Sequence, residues 1–160
     1  MQQEMRRQDR KVTDATVVQS VLDQAEVVHI GLYDKGQVYV VPLNYGWSEE
    51  EGKYTLYCHS AHEGRKIDLI SNGACVGFSM ECGVKVVGAA AACDFSTCYK
   101  SIIGDGQASL VQTLEEKRAG MQAIMAHYAH QEHWDFLEPL LKQIQVIRIK
   151  VENLSCKVHR

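Results

Sequence analysis

The sequence predicts a mainly β protein, a closed antiparallel barrel of six strands carrying helices at its ends. Short runs of alternating or β-branched residues recur along the chain and are separated by glycine-containing or polar turns. Helical spacing is confined to a few stretches, and these do not alternate with strands as a parallel βαβ sheet requires. With 160 residues, 46% of them apolar, the chain can bury a sizeable core as one domain spanning 1–160.

Residues 1–12 read as an N-terminal arm in which Arg6, Arg7, Arg10 and Lys11 are solvated. The arm lacks the apolar segment of a secretory signal, so a cytoplasmic address is expected. Residues 13–25 place Val17, Val18, Val21, Leu22 and Ala25 on one helical stripe, with Thr13 as the N-cap. VVHIGLY (27–33), the turn DKGQ and VYVVPLNYGW (38–47) form a hairpin.

A third strand, KYTLYCHS (53–60), turns Tyr54, Leu56 and Cys58 to one side and Thr55, Tyr57 and His59 to the other. ACVGFSME (74–81) has a large face of Val76, Phe78 and Met80 and a small face of Cys75, Gly77 and Ser79. The fifth strand, 99–112, bends or bulges at Gly104 and Gly106, and the sixth is 144–154. Between them lie two helices. The first opens with Thr113 and Glu116 at capping-box spacing and carries a stripe of Met121, Ile124, Met125 and Tyr128. The second is short, roughly 134–143.

Several function classes lack a basis. The net charge of −3, from 17 Lys and Arg against 20 Asp and Glu, gathers no polyanion, so no nucleic-acid partner is expected. No apolar run nears the ~18 residues that span a bilayer, so no membrane partner is expected either. The 6 cysteines form no CxxC pair, which disfavours zinc and leaves them as free thiols, with Cys93 and Cys98 open to oxidation. His127, His130 and His133 recur every third residue at a polar helix end without a carboxylate motif, so they read as solvated or capping histidines and no metal is assigned. G-x-S-x-G, Walker and H-E-x-x-H motifs are absent, and the GDG at 104–106 lies inside a strand pattern.

Two segments carry candidate chemistry. HSAHEGRK (59–66) joins a strand to a helix; Gly64 permits close backbone approach, and Arg65 and Lys66 bring positive charge to unpaired helix N–H groups. A phosphate suits that junction, but Ser60 and Glu63 have S-x-x-E spacing and compete as a capping box for the same donors. In VVPLNYG (40–46), Pro42 interrupts the ladder and Asn44 and Tyr45 bring donors and acceptors, which suits the edge of a heteroaromatic ring or simply an edge strand entering a turn. Trp47 and Trp134 are core residues or a rim for a flat ligand.

MRRQDRKVTD (5–14), VVPLNYG (40–46), LYCHSAHEGRKIDLI (56–70), YKSIIGDGQASLV (99–111) and VIRIKVENLSCK (146–157) together resemble, in order and spacing, the FMN-binding split barrels related to pyridoxamine 5′-phosphate oxidase, most closely the nitroimidazole-resistance branch. The resemblance implies a Greek-key split barrel and a homodimer binding FMN in clefts made by both chains. By position, Pro42, Leu43, Asn44 and Tyr45 line the flavin ring, and Ser60, Gly64, Arg65 and Lys66 hold its phosphate. Tyr99 and Ser101 approach the ring, and Trp134 closes the cleft from the partner chain. His59 matches a histidine beside the flavin with a proposed catalytic part.

The implied activity is an FMN-dependent reduction of a small-molecule electron acceptor, a nitroaromatic such as a 5-nitroimidazole. A deazaflavin in place of FMN, a haem-binding protein on the same fold, or a flavin-binding sensor or store without turnover are the alternatives. Ser155-Cys156-Lys157 departs from the branch's usual Gly-Lys turn, and the substrate-phosphate arginines of true pyridoxamine phosphate oxidases are missing.

Overall fold

The computed structural model describes residues 5–131 and 133–159. In chain order the elements are β1 (Lys11–Val12), α1 (Ala15–Gln24), β2 (Val28–Asp34), β3 (Gln37–Leu43), β4 (Tyr45–Glu50), β5 (Lys53–Ser60), α2 (Arg65–Ile70), β6 (Ala74–Val87), β7 (Ser96–Leu110), α3 (Leu114–Ala129), α4 (Glu138–Lys142) and β8 (Gln145–His159). All strand pairs are antiparallel, so a mainly β barrel with peripheral helices is what forms.

The sheet runs β3-β2-β6-β7-β8-β5-β4, and its two outermost strands are consecutive in the chain, separated only by Asn44. Asn44 is therefore the seam of the barrel. The single strand expected over 38–47 divides there into β3 and β4, because the chain changes partner: residues up to Leu43 pair with β2 and those from Tyr45 pair with β5. That division and the two-residue β1 raise the expected six strands to eight.

The hairpin turn at Lys35 and Gly36 has φ of 49° and 90°, the positive pair that a two-residue turn between twisted strands requires. β7 carries the expected irregularity, a register shift against β8 between Asp105 and Gly106. A Cβ on Gly106 would stand 2.2 Å from the Lys150 carbonyl oxygen, so only glycine lets β8 come this close.

Inside the barrel, Leu56 and Cys58 of β5 meet Val76, Phe78 and Met80 of β6, as the strand alternation predicts. Ile102, Ile147 and Ile149 complete the same core, and α1 lays Val18, Val21 and Leu22 upon it. The N-cap of α1 is Asp14, whose carboxylate accepts the Thr16 N–H at 2.8 Å, not Thr13 as expected. An aspartate one residue nearer the helix takes the donor first.

On the outer face α3 packs against β4 and β5. Thr113 caps it as expected, accepting the Glu116 N–H at 3.2 Å. Glu116 does not complete a capping box but pairs with Arg148 at 2.6 Å. The face that α3 buries is Lys117, Gly120 and Ile124, a rotation away from the expected Met121 and Met125 stripe. Two glycines cause this rotation. A Cβ on Gly46 would lie 2.2 Å from the Ala123 carbonyl carbon, and one on Gly120 2.9 Å from the Tyr57 ring, so backbone meets sheet where side chains are missing. The helix expected over 134–143 shortens to α4, Glu138–Lys142.

The N-terminal arm is not wholly solvated. Gln8–Arg10 form a 3-10 turn, and Lys11 and Val12 pair with Lys157 and Cys156 of β8. Residues 1–4 lie outside the described residues. Among the described residues no helix is long and apolar enough to cross a membrane, and no group of His, Cys, Asp and Glu is arranged to hold a metal ion. All 6 cysteines are free; Cys58, Cys82 and Cys156 are buried, Cys75 and Cys93 exposed.

Candidate functional site

The sheet register brings the first group of candidate residues together. Tyr45 pairs with Cys58, so the next position outward sets Asn44 beside His59, both exposed at the barrel seam. His59 in turn pairs with Val146, and Ser60 with Gln145, at the very start of β8. Pro42 is exposed and Leu43 half-buried on the other side of the seam.

Tyr45 behaves differently from its neighbours. Its side chain is fully buried, and its hydroxyl donates to the Leu22 carbonyl at 2.6 Å while lying 3.2 Å from the Met80 sulfur. Burial pushes its pKa up, so it stays a phenol. Tyr45 therefore holds the seam to α1 and offers no side chain to an open cleft, which corrects the expectation that it lines a ring. Its N–H, which the broken ladder frees, donates to the Tyr128 hydroxyl at 3.2 Å.

Gly64 is the N-cap of α2, with φ of 122°, and no side chain caps the helix. The Ser60–Glu63 capping box does not form. The Ser60 hydroxyl is buried and has no hydrogen-bond partner among the described residues, a cost of roughly 1–3 kcal/mol unless a ligand or water supplies one. α2 is only 6 residues, less than two turns, so any anion here would be held chiefly by side chains rather than by a helix dipole.

Arg65 and Lys66 are not equivalent. The Arg65 guanidinium reaches Asp34 through Nε and Nη2, both at 2.8 Å, and its carbon lies 4.6 Å above the Tyr39 ring. Lys66 is half-buried and makes no ion pair among the described residues. Its charge is available, whereas that of Arg65 is shared with a carboxylate.

The second group lies elsewhere. Tyr99 pairs with His159 and Ser101 with Lys157, at the far end of β8 from the Ser60–Gln145 pair. Fourteen residues of β8 separate the two ends, a contour of roughly 45 Å at about 3.3 Å per residue. Tyr99 meets the His159 ring edge-on, with centroids 5.9 Å apart. One chain thus does not bring Tyr99 and Ser101 to His59. Trp134 stands in the irregular segment after α3, 38% exposed, its N–H on the Gln122 side-chain oxygen.

The histidine series separates too. His127 Nε2 donates to the Ala25 carbonyl at 3.0 Å, its ring between those of Tyr45 and Tyr128, whose centroids are 4.7 and 4.6 Å off. His130 caps α3 in the left-handed conformation. Sequence reasoning missed Asp34, Tyr39 and Tyr128. Their partners are 31, 26 and 83 residues distant in the chain, and no local spacing reveals such pairs.

A family model described as pyridoxamine 5′-phosphate oxidase matches residues 14–158. None of the curated proteins matches the chain. Among solved structures, the chain is similar to a candidate 5-nitroimidazole antibiotic resistance protein from Bacteroides thetaiotaomicron, at 29% identity over 92% of this chain and 86% of that one, with a TM-score of 0.78. It shares its fold with a flavocytochrome from Azotobacter vinelandii (19% identity, 98% and 72% covered, TM-score 0.77). The same holds for an FAD- and haem-binding protein from Mycobacterium smegmatis (18% identity, 94% and 74% covered, TM-score 0.79). With the family match running from the N-cap region of α1 to the last strand, the chain belongs to the pyridoxamine 5′-phosphate oxidase family of β split barrels.

Proposed function

We propose that the protein is an FMN-dependent oxidoreductase that reduces small nitroaromatic acceptors such as 5-nitroimidazoles, as a homodimer. The observation that carries the reading is the β5–α2 junction, where one short stretch of chain holds a buried, unpartnered Ser60 hydroxyl, an N-cap Gly64 and a Lys66 with no ion pair among the described residues. A terminal phosphate supplies what both groups lack, an acceptor and a negative charge. The similarity to the Bacteroides protein supports the acceptor class.

Bound FMN would supply electron transfer to the acceptor. The chain's own residues hold and orient it. Ser60 and Lys66 bind the phosphate, with Arg65 beside them but shared with Asp34. The exposed Asn44 amide offers a donor and an acceptor to the ring edge, and Pro42 and Leu43 form the adjoining apolar wall. His59, next to Asn44 and exposed, donates a proton to the nitro group as it gains electrons.

The division of the candidate residues supports the homodimer reading. Tyr99 and Ser101 reach a ring held at Asn44 and His59 only from a second copy, and that requires a face on which two barrels meet. The outer face of β2, β3 and β7 leaves Tyr33, Val38, Val40 and Ile103 between 56% and 77% exposed. Large apolar side chains exposed on one side of the sheet, with β6 between β2 and β7, suit a second copy of the chain.

The test is anaerobic mixing of the reduced protein with a 5-nitroimidazole while flavin absorbance is followed. The proposal expects reoxidation at a rate that rises with acceptor concentration. An absorption spectrum with a sharp haem band, a deazaflavin on mass analysis of the released cofactor, or bound FMN that no nitro compound reoxidises would each overturn it.

A further inference from the structure

We propose that the N-terminal arm and the end of β8 form a second oxyanion site, one that takes the phosphate group of a phosphorylated ligand. The site is distinct from the Ser60–Lys66 cradle, which lies at the opposite end of β8.

Arg7, Asp9, Arg10 and Lys11 line a cavity of about 370 Å³ whose far wall is Val158 and His159. The charges in it do not cancel. Asp9 is engaged by Arg7 in a two-point pair, Nε to Oδ1 at 2.8 Å and Nη2 to Oδ2 at 2.6 Å. The next cation, Arg10, stands 3.9 Å from that carboxylate, beyond hydrogen-bond reach. Its Nε is buried without a partner among the described residues, and its side chain keeps only 20% of its exposure. A guanidinium N–H shut away from water needs an acceptor, and within this cavity the lone carboxylate is already taken.

A second, independent observation comes from the ladder. Lys11 of β1 stands directly opposite Lys157 of β8. Like charges at opposed positions repel, and neither lysine has an ion pair among the described residues. Lys157 is opposite Ser101 on its other side, so a hydroxyl continues the row. Arg10, whose Nε lacks a hydrogen-bond partner among the described residues, and Lys11 line the cavity, and Lys157 and Ser101 extend the row from Lys11 across the ladder; this set of donors suits a multiply charged oxyanion. Two sources carry that chemistry, the phosphate of the flavin and the phosphate of a separate ligand.

The test measures binding of inorganic pyrophosphate to the purified protein by calorimetry, alongside FMN and riboflavin affinities. Arg10→Gln and Lys11→Gln should each weaken pyrophosphate roughly 10- to 100-fold, the usual weight of a charged hydrogen bond. Lys35→Gln, at the distant β2–β3 turn, should leave it unchanged. If FMN weakens in step while riboflavin does not, the arm holds the cofactor's own phosphate and the proposal of a second site is overturned. If FMN is unaffected, it serves a separate phosphorylated ligand. The proposal is overturned if pyrophosphate does not bind, if both variants bind it as tightly as the parent, or if Lys35→Gln weakens it equally. Lys11 is exposed, so Lys11→Gln tests the site even if Arg10→Gln loosens the arm. Because no turnover is measured, failure here is separate from failure of the nitroreductase reading.

Discussion

The Tyr128 hydroxyl accepts the Tyr45 N–H at 3.2 Å and donates to the Glu26 carbonyl, so one side chain of α3 joins the barrel seam to the segment between α1 and β2. The broken ladder at Asn44 leaves that N–H free, and Tyr128 satisfies it in the absence of a strand. Tyr128→Phe keeps the ring and removes both bonds. It should cost about 1–3 kcal/mol. Thermal unfolding should fall by roughly 2–4 °C per kcal/mol in a chain of this size. An unchanged melting temperature would show that the seam does not depend on this clasp.

Gly46→Ala tests the approach of α3 to the sheet. The added methyl would sit 2.2 to 2.4 Å from backbone atoms of Ala123 and Ile124, which cannot rotate away. A loss of about 1–3 kcal/mol or more is expected from overpacking, read by urea denaturation. Gly52→Ala meets no atom within 4 Å and has φ of 79°, so it reports conformational strain alone and should cost less.

The pH dependence of stability should carry a His127 component. Burial lowers its pKa from the ordinary value near 6.5, so the unfolded chain binds the proton more tightly than the folded one. Stability is then fully present above the unfolded value and is lost as pH falls below about 6.5. His127→Gln should flatten the melting temperature between pH 7 and pH 5 relative to the parent. A parent and variant with parallel profiles would remove His127 from the account.

Thiol reactivity should follow burial. Cys93 is exposed and should be alkylated first in the native protein, as peptide mapping by mass spectrometry reads. Cys58 is buried and its thiol is pushed up to about 12, so it should label only on unfolding, together with Cys82 and Cys156. Native labelling of Cys58 ahead of Cys93 would contradict the packing described.

Much of the fold was legible because the barrel strands alternate cleanly. β5 occupies the span expected from KYTLYCHS, and Val76, Phe78 and Met80 all reach the core. What eluded the sequence was long-range. The rotation of α3 depends on two glycines meeting a partner surface, and the pairing of Arg65 with Asp34 joins residues from different elements. At the candidate site, residue types and strand ends are readable, whereas the placing of the large Tyr45 ring in the core is not. An alternating strand places every second side chain inward, and the break at Asn44 obscured which phase Tyr45 follows.

The central claim is a flavin site shared between two chains, and mixing two damaged forms tests it most directly. Lys66→Ala removes the phosphate charge from one end of β8, and Tyr99→Ala removes the ring contact at the other. Each variant alone should bind FMN weakly. Unfolded together and refolded as a mixture, they should regain tight FMN binding at about a quarter of all sites, because half the dimers are mixed and each mixed dimer holds one undamaged site. Recovery to that level is the predicted result; a mixture that binds no more FMN than the two variants apart would contradict the shared site.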